Sequence, residues 1–410
     1  MFIYFLILRL AALLGHPKAK RLVSGQAQAL EAMRDWRQSI TASAHVVWIH
    51  VASVGEFEQV RPIIERLRRE GDQRKILLTF FSPSGYEMRK NYDQVDLVLY
   101  LPFATRRNAR RWIAALQPEM AIFVKYEFWP AYLKELQKNA IPTYLISAIF
   151  RPKQLFFRPW GKWYRKLLFC FNHIFVQDQT SAQLLADYSI SAVTIAGDTR
   201  FDRVLEVKQT RSPLPALEAF ASEGVSKILV AGSTWPEEEK MLARYVSQRD
   251  DVRLVLVPHE LHEQHLRQIY QLFEGRYQRY TQARITDLHL ASVLLVDTMG
   301  LLSSIYHYAH VAYIGGGFGV GIHNTLEAAV YGKPIIFGPN WKKFREAHGL
   351  QDAGAAIAVK NYKQLAAALD HAFQLQTQMG QAAAQYVADE CGATQVIYLA
   401  LFASDQNKHS

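Results

Sequence analysis

The stretch VVWIHVASVGEFEQV, residues 46–60, decides the fold. The apolar run 46–51 predicts a buried β-strand, and an amphipathic helical pattern begins a few residues later. A short turn that contains Ser53 and Gly55 separates the two. In doubly wound α/β domains such a junction lies at the carboxyl end of a strand, where ligands bind. We therefore expect Ser53, Gly55 and Glu56 to face a binding site.

Similar apolar runs alternate with amphipathic helical patterns along most of the chain, which is typical of βαβ units and parallel sheets. The strands predicted in the first half span residues 46–51, 75–80, 97–100, 121–124, 142–146, 173–176 and 193–195. Those predicted in the second half span residues 228–231, 253–257, 293–296, 311–314 and 334–337.

The chain length of 410 residues predicts two domains rather than one large core. We predict an α/β fold with two doubly wound, Rossmann-like domains that face each other across a cleft. Ser212, Pro213 and Pro215 lie in a region without a strand pattern, which indicates a linker. The helical pattern at 362–403 would allow the chain to return to the first domain. The predicted parts are an N-terminal segment at 1–22, a first domain at 23–205, a linker at 206–224, a second domain at 225–390, and a C-terminal helix and tail at 391–410.

Composition narrows the functional class. Half of the residues are hydrophobic and 20% are charged, which fits a folded enzyme and excludes a largely disordered chain. The formal net charge of +10 favours polyanionic partners, which include nucleic acid, anionic membranes and phosphorylated substrates. Cys170 and Cys391 lie far apart in the sequence, so we expect neither a disulfide framework nor a zinc site.

The N-terminal residues are suited to a membrane surface. Residues 2–14 are apolar except for Arg9, and Lys18, Lys20 and Arg21 follow. The run is shorter than the roughly 20 apolar residues of a spanning helix, and it lacks the features of a signal peptide. We predict an uncleaved helix in the membrane interface, held by anionic lipid on the cytoplasmic side. An ordinary buried first helix is the alternative.

Two acidic residues are candidates for catalysis. Glu56 follows the strand 46–51, and Glu127, in KYEFWP, follows the strand 121–124. Each could act as a general base at the carboxyl edge of a sheet. Glu56 could instead be a stabilising acid in the first turn of a helix, and Glu127 could cap a helix or pair with Lys125. The residues alone leave these alternatives open.

The segment GGGFGVGIHNTLEAAVYGKPIIFGP, residues 315–339, predicts an anion-binding site. Its glycines let the backbone approach a phosphate, and a helix is predicted to start near Asn324. His323 and Asn324 would flank the phosphate, and Glu327 would reach a ribose. Turn geometry alone does not require so many glycines. The spacing matches neither a Walker loop nor a dinucleotide fingerprint.

Three more loops follow predicted strands of the second domain. AGSTWPEEE offers Ser233 and Thr234 to a phosphate or a sugar, and DTMGLL offers backbone groups that could read a base edge. The third loop is VPHE, which contains His259. Each loop is common by itself, but together they predict a nucleotide site.

Cations and aromatic residues alternate in RPKQLFFRPWGKWYRKLL, residues 151–168. This pattern suits a membrane interface, where rings lie at headgroup depth and cations reach phosphates. It would also suit single-stranded nucleic acid. A solvated helix face is disfavoured by the aromatic residues, which are Phe156, Phe157, Trp160, Trp163 and Tyr164.

In this order, the motifs resemble those of the 3-deoxy-D-manno-octulosonic acid (Kdo) transferases. The resemblance covers most of the chain from about Trp48 to Gly354, through VASVGEFEQV, KYEFWP, GDTRFD, AGSTWPEEE, DTMGLL and GIHNTLEAAVYGKPIIFGP. It implies a GT-B glycosyltransferase that moves Kdo from CMP-Kdo to the lipid A precursor, lipid IVA, in lipopolysaccharide biosynthesis. It also implies inversion at the anomeric carbon, no metal or other cofactor, and a location at the cytoplasmic face of the inner membrane.

The resemblance further implies roles for single residues. Glu56 would be the catalytic base and Glu127 a second important acid. With the loops above, the predicted donor-binding set is Ser53, Gly55, Arg200, Ser233, Thr234, Pro258, His259, Met299, Gly300, Leu301, Gly316, Gly317, His323, Asn324, Thr325, Leu326 and Glu327. The residues predicted to contact the acceptor and anionic inner-membrane lipids are Arg151, Lys153, Arg158 and Lys162. We expect no nucleic-acid partner.

Two positions depart from the family pattern. Where the family usually has Pro-Arg-His-Pro, this chain has residues 258–261, Pro-His-Glu-Leu, so a cationic contact to CMP is missing or replaced by His259. The family's lysine before Phe-Asp is Arg200 here, which retains a cation with a different geometry.

Two other functions would explain part of the sequence. A GT-B enzyme that uses a UDP- or GDP-sugar and a lipid carrier would have the same fold and the same glycine-rich turn. A non-catalytic protein that binds lipid or RNA through residues 151–168 would leave Glu56 and the loops of the second domain unexplained.

Overall fold

A computed structural model describes the protein at residue 8 and over residues 10–222, 227–273 and 276–406. The contact pattern divides it into two units. Unit 1 contains the chain up to Arg203 together with the segment from Gly392 onward, and unit 2 runs from Val204 to Cys391. Each unit contains a parallel sheet with helices packed on it.

The strands of unit 1 pair in parallel throughout the part of the chain that the structure describes. They are β1 (Val46–Val51), β2 (Lys75–Phe80), β3 (Leu97–Tyr100), β4 (Met120–Val124), β5 (Thr143–Ala148), β6 (His173–Val176) and β7 (Val193–Ile195). Their order in the sheet is β3-β2-β1-β4-β5-β6-β7. Trp48 of the central strand β1 pairs with Leu77 on one side and with Ala121 on the other.

The strands of unit 2 form a second parallel sheet of the same kind. They are β8 (Lys227–Thr234), β9 (Val252–Pro258), β10 (Tyr277–Arg279), β11 (Val293–Leu295), β12 (Val311–Ile314), β13 (Ile335–Phe337) and β14 (Ala356–Ala358). Their order is β10-β11-β9-β8-β12-β13-β14.

Helices connect the strands of both sheets. The α-helices up to the unit division are α1 (Pro17–Ser39), α2 (Val54–Arg69), α3 (Pro83–Arg89), α4 (Arg106–Leu116), α5 (Pro130–Lys138), α6 (Lys162–Arg165), α7 (Gln179–Ala186) and α8 (Thr199–Thr210). The later α-helices are α9 (Pro215–Ser222), α10 (Pro236–Val246), α11 (Glu263–Phe273), α12 (Leu302–Ile305), α13 (Leu326–Ala329), α14 (Arg345–Asp352), α15 (Tyr362–Gln374), α16 (Gln376–Glu390) and α17 (Ala393–Gln406). Short 3-10 helices span Leu155–Phe157, Pro159–Gly161, Leu168–Cys170, Tyr280–Gln282, Ile285–Leu290 and Tyr306–Tyr308.

Strand β1 is buried along its whole length, and its side chains alternate between two cores. Val47, Ile49 and Val51 belong to a core that also contains residues of α2 and α17. Val46 and Trp48 belong to a core on the other face, with residues of α1, α4 and α5. Burial on both faces is typical of a strand in a parallel sheet, and each such side chain contributes about 1.5–3 kcal/mol to stability.

The twelve predicted strands are present, with ends shifted by up to three residues, and the α/β fold class is confirmed. Two strands were missed, β10 and β14. Both are three-residue strands at the edges of the second sheet. Residues 277–279 are largely polar, so β10 lacks the apolar run by which the equally short β11 and β13 were found.

The predicted linker at 206–224 contains helical structure. Helix α8 crosses the division between Arg203 and Val204, and α9 follows with Pro215 as its first residue. Proline is favourable at this position because its missing N–H would have no partner in a first helical turn. Pro215 therefore begins a helix within the stretch that was expected to be a linker.

The predicted N-terminal segment at 1–22 overlaps a helix that packs in unit 1. Helix α1 begins at Pro17 and buries Ala19 and Leu22, whereas Leu13 and Leu14 before it are exposed. Residues 1–7 and 9 lie outside the described residues. Within the described chain, no helix has the length and the apolar composition needed to cross a membrane.

The chain returns to unit 1 at its C-terminal end. Asp202 accepts hydrogen bonds from the backbone N–H groups of Gly392 and Thr394, both at 2.7 Å, directly at the start of α17. Arg66 of α2 stacks on the ring of Tyr398 at 4.2 Å. The last aspartate of the GDTRFD motif therefore caps the helix that completes the core of unit 1.

We predict that Asp202→Ala destabilises unit 1 by about 1–2 kcal/mol, because it leaves two N–H groups at the start of α17 without their acceptor. Urea unfolding measures the loss, and hydrogen exchange at residues 392–396 should accelerate. Asp250→Ala, a substitution of an exposed aspartate, is the control. Unchanged exchange at the start of α17 would contradict this capping role.

Candidate active site

Glu56 occupies the first turn of α2 and is almost completely buried. Ser53 precedes the helix, which starts at Val54. The Glu56 carboxylate accepts a hydrogen bond from the backbone N–H of Ala52 over 2.5 Å, and the residue is only 9% exposed. Burial, followed by the nearby carboxylate of Glu127, raises the pKa of Glu56 to about 7. A carboxyl group with this pKa can exchange a proton at neutral pH.

Glu127 reaches the same edge of the sheet from the end of β4. Lys125, the first residue after β4, has a left-handed backbone with φ 61°, which is uncommon for a residue other than glycine. Glu127 follows this turn and is buried. Its Oε2 accepts a hydrogen bond from the indole N–H of Trp129 at 2.6 Å and lies 3.1 Å from Nε2 of His50.

Both ring nitrogens of His50 have polar partners. Its Nδ1 lies 3.1 Å from the carbonyl oxygen of Thr79 and 2.9 Å from the hydroxyl of the same residue. That hydroxyl accepts from the indole of Trp48, and its own hydrogen can be donated to the carbonyl of Ile49 or to Nδ1. The Nε2 of His50 faces the carboxyl group of Glu127.

The contact with His50 and the hydrogen bond from Trp129 hold the Glu127 carboxyl group from two sides. His50 is completely buried, so it is well placed to orient Glu127 for a ligand without contacting that ligand itself.

Several predicted residues lie around the ring of Tyr126. Burial raises the pKa of the Tyr126 hydroxyl, and the charges of Arg151, Glu56 and Arg200 act on it as well. Three predicted site residues therefore act on one side chain. They are Arg151, a predicted acceptor contact, Glu56, the candidate base, and Arg200, a predicted donor contact. All of them belong to unit 1.

Arg200 is held in a fixed position by Asp198. Its guanidinium donates to the Asp198 carboxylate through Nε at 2.9 Å and Nη2 at 2.7 Å. Burial would raise the pKa of Asp198, but the charge of Arg200 outweighs that effect and the pKa is lowered. Arg200 therefore offers oriented N–H donors, and its charge is largely compensated within the protein.

The glycine-rich turn of unit 2 binds a carboxylate of its own chain. Glu238, the third residue of α10, is completely buried. It accepts hydrogen bonds from the N–H groups of Gly316 at 3.0 Å and Phe318 at 3.4 Å. Of the two glycines predicted to contact the donor, Gly316 and Gly317, the structure shows that the N–H of Gly316 is engaged by Glu238.

Close contacts within the backbone explain most of these glycines. A Cβ atom on Gly315 would lie 2.1 Å from the carbonyl oxygen of Ser233, and one on Gly317 would lie 2.5 Å from the backbone nitrogen of Gly338. The turn therefore needs glycine for its own packing. We expected that turn geometry alone could not account for so many glycines. That expectation is wrong, because these backbone contacts require glycine.

The helix expected to start at Asn324 is a single turn, Leu326–Ala329. A helix this short has little dipole, so the predicted phosphate site loses that support. Asn324 accepts from the N–H of Leu326 at 3.1 Å and donates to Glu327 at 3.0 Å, which orients the Glu327 carboxylate. Thr325 is completely buried.

Three rings lie together beside the glycine-rich turn. His259 stacks on Trp235 with ring centres 4.8 Å apart, and its centre lies 4.5 Å from that of His323. Burial, together with the neighbouring His259, lowers the pKa of His323 to about 4, so its imidazole is neutral at neutral pH. Within the described chain, Nε2 of His323 and Nε1 of Trp235 are buried without a hydrogen-bond partner.

The other predicted donor contacts differ in how accessible they are. The hydroxyl of Thr234 donates to Glu239, which in turn pairs with His265, so this hydroxyl is already engaged. Pro258 ends β9. Met299 is largely exposed, Gly300 has a left-handed backbone and Leu301 precedes α12, so this loop can contact a ligand.

The basic aromatic segment is only partly a surface feature. Arg151, Lys153, Arg158 and Lys162 are exposed, as predicted. Phe156 and Phe157 are buried in the core, and Tyr164 stacks on Phe156 at 4.7 Å. The expectation that all five aromatic residues face a membrane interface is wrong. Trp160 and Trp163 remain, and they are 68% and 63% exposed.

The described residues contain no cluster of three or more histidine, cysteine or acidic side chains that could hold a metal ion.

Comparison with known proteins agrees with the resemblance found in the sequence. The family model described as 3-deoxy-D-manno-octulosonic-acid transferase (kdotransferase) matches residues 24–203. The 3-deoxy-D-manno-octulosonic acid transferase of Rickettsia felis is 27% identical over 78% of this chain and 70% of that protein. That of Aquifex aeolicus is 26% identical over 80% of this chain and 86% of that protein. The chain is thus similar to the Kdo transferases over most of its length. This similarity supports a glycosyltransferase, and the name of these relatives implies lipopolysaccharide biosynthesis.

A solved structure supports the fold. The UDP-GlcNAc 2-epimerase of Neisseria meningitidis, bound to UDP-GlcNAc, matches with a TM-score of 0.62 at 16% identity, over 88% of this chain and 100% of that chain. At this identity the likeness shows the fold alone, which is the predicted pair of doubly wound α/β domains of the GT-B architecture.

Sequence reasoning missed several residues of the site. His50 lies in the run VVWIHV, where a polar side chain in a fully buried strand was the available signal. Glu238 lies in AGSTWPEEE, but nothing in the sequence pairs it with a glycine turn nearly eighty residues away. Asp198 was quoted in GDTRFD, although only the structure shows that it holds Arg200.

The raised pKa of Glu56 predicts an effect on stability. Its carboxyl group ionises near pH 4.5 when unfolded and near pH 7 when folded, so its contribution to stability falls as the pH rises through that window. Glu56→Gln removes this cost and can still accept the Ala52 N–H. We expect it to stabilise the protein by about 1–3 kcal/mol at pH 8 and by much less at pH 4.

Thermal or urea unfolding at both pH values measures the difference. Glu31→Gln, at an exposed position of α1, is the matched control and should show no such dependence. An equal effect of Glu56→Gln at pH 4 and pH 8 would show that Glu56 is not held protonated by its surroundings.

Proposed function

We propose that this protein transfers Kdo from CMP-Kdo to a hydroxyl group of the lipid A precursor, lipid IVA, with inversion at the anomeric carbon. The observation that carries the proposal is the carboxyl group of Glu56, which is buried at the carboxyl edge of the sheet and has a pKa of about 7. A general base is most effective when its pKa lies near the working pH. Similarity to the Kdo transferases supports the choice of sugar.

In the proposed reaction, Glu56 takes the proton of the acceptor hydroxyl while its oxygen attacks the anomeric carbon of Kdo. The bond between that carbon and the phosphate oxygen of CMP breaks, and CMP leaves with the electron pair. Attack from the face opposite CMP inverts the configuration in one displacement. Deprotonation by a positioned carboxylate contributes typically 10²- to 10⁴-fold to the rate of such a step.

Glu127 and His50 support the base. Trp129 and His50 hold Glu127 from two sides, which fixes its carboxyl group for a hydroxyl of the acceptor or the donor. We assign Glu127 a role in orienting a substrate and His50 a role in positioning Glu127.

We propose that unit 2 binds the nucleotide. The exposed loop Met299–Leu301 and the oriented pair Asn324–Glu327 would contact CMP, and the neutral imidazole of His323 or the ring of His259 would donate to its phosphate or to the Kdo carboxylate. Gly316 and Gly317 shape the turn beside them rather than donating their N–H groups. The leaving phosphate needs no metal ion in this scheme, because oriented N–H donors can stabilise its charge.

We propose that the acceptor and anionic lipids contact unit 1. Arg151, Lys153, Arg158 and Lys162 are exposed cations that suit lipid phosphates, and Trp160 and Trp163 suit the interfacial region of a bilayer. The protein would then lie on the cytoplasmic face of the inner membrane as a peripheral or monotopic enzyme. Nucleic acid has no part in this scheme.

Glu56→Ala should abolish Kdo transfer while CMP binding changes by less than about threefold, because the base and the nucleotide contacts lie in different units. Mass spectrometry of lipid IVA after incubation with CMP-Kdo measures transfer, and calorimetry measures CMP binding. UDP- and GDP-sugars in parallel reactions test the donor. Glu31→Ala is the control. Transfer above about one tenth of the wild-type rate, or a preference for another donor, would reject the proposal.

His50→Ala tests the positioning role of His50. Wild-type kcat/KM should rise with pH and level off above about pH 7, since the free base must be ionised. Without the imidazole, Glu127 loses one of the two groups that hold it, so kcat should fall, and His50→Gln, whose amide can still donate to Glu127, should restore part of the rate. The exposed His45→Ala is the control. An unchanged kcat in His50→Ala would contradict the positioning role.

A further inference from the structure

A groove outside the site described above lies between α1 and α4 of unit 1. It has a volume of about 620 Å³, and five arginines line it. They are Arg34 of α1 and Arg106, Arg107, Arg110 and Arg111 of α4. All five are exposed, and Ala114 and Ala115 complete the lining with small side chains that leave the guanidinium groups room to converge.

These charges are not neutralised by the protein. Elsewhere in unit 1, arginines such as Arg61 and Arg68 form ion pairs with nearby carboxylates. In the part of the chain that the structure describes, none of the five groove arginines has an ion pair or another polar partner. The groove is therefore a site of concentrated positive charge with its donors unused.

The placement of the four arginines on α4 opposes the stability of that helix. Arg106 and Arg110, like Arg107 and Arg111, are four positions apart, where like charges repel across one helical turn. They also lie in the first half of the helix, where cations interact unfavourably with its dipole, and the first turn contains no acid. Helix stability alone disfavours this arrangement, whereas a bound anion would offset the repulsion.

Phosphate is the anion that this geometry fits. Each guanidinium group presents N–H donors in a planar fork that matches two phosphate oxygens, and arginine is favoured over lysine where such paired contacts form. Arginines from two helices can donate hydrogen bonds to one phosphate from different directions. A carboxylate offers only two oxygens and one charge, so it would satisfy fewer of these donors.

We propose that this groove binds the phosphate of an anionic lipid headgroup. The lipid source is indicated by Leu13 and Leu14, which are exposed directly before α1, the helix that carries Arg34. Exposed apolar residues together with cations are the combination by which proteins bind an anionic membrane surface. The proposal rests on the membrane location proposed above, but it does not depend on which sugar is transferred.

The test compares two variants of the full chain that remove the same charge. The groove variant is R106Q/R107Q/R110Q/R111Q, in which glutamine preserves helix propensity. The control is K240Q/K342Q/K360Q/K363Q, at exposed positions of unit 2. Flotation with phosphatidylcholine vesicles, with and without phosphatidylglycerol, measures membrane binding. Thermal unfolding checks that the groove variant is at least as stable as the wild type, as expected when like charges are removed.

We expect the groove variant to lose at least about tenfold in partitioning to phosphatidylglycerol vesicles and the control to lose less than about twofold. Added inorganic phosphate at about 10 mM should leave wild-type vesicle binding largely unchanged. Equal losses in the two variants would overturn the proposal, because net charge alone would then explain binding. Groove-dependent binding of inorganic phosphate without any preference for anionic vesicles would assign the site to a soluble anion and overturn the lipid source.

Kdo transfer to detergent-dispersed acceptor separates this inference from the proposed function. The groove variant should retain transfer within about twofold, since no groove arginine belongs to the active site. Absence of transfer in the wild type would refute the proposed function without affecting the vesicle result.

Discussion

Burial of the unit 1 sheet on both faces is the constraint on which the site depends. A strand such as β1 has no solvated face, so polar groups along it must be satisfied inside the protein or moved to its end. His50 shows the first solution, with partners on both ring nitrogens. Glu56 and Glu127 show the second, since each follows the carboxyl end of a central strand. The same burial that stabilises the sheet raises the pKa of Glu56, so folding and proton transfer have one physical origin.

The two units treat buried carboxylates differently. In unit 1, Glu127 acts on a second acid, Glu56, whose raised pKa leaves a site that can gain or lose a proton. In unit 2, Glu238 accepts hydrogen bonds from backbone N–H groups of the glycine-rich turn and holds that turn in place. A carboxylate bound in this way mimics an anionic ligand, but it is part of the chain. Glycine-rich turns therefore need their hydrogen bonds inspected before a phosphate is assigned to them.

The fold was largely predictable from the sequence, because apolar strands and amphipathic helices leave a clear pattern. The edge strands β10 and β14 were missed, whereas the equally short β7, β11 and β13 were found. Glu56 and Glu127 could be found because acids that follow apolar strands point to the carboxyl edge of a sheet. The contact of His50 with Glu127 could not be found, because it depends on how two neighbouring strands bring the side chains together. Nor could the burial of Phe156 and Phe157 be predicted, since alternation of aromatic and basic residues does not reveal which rings turn inward.

The return of α17 to unit 1 has a consequence for how the protein is made. Ile397, Tyr398, Leu401 and Phe402 belong to the same core as strand β1, yet a ribosome releases them only after all of unit 2. Unit 2 is one continuous stretch of chain and can fold as it emerges, whereas unit 1 must wait, incomplete, with one side of its sheet uncovered. During that interval the nascent chain presents an apolar surface on the face of the sheet opposite the core that contains α1, and a chaperone would shield it until α17 has emerged.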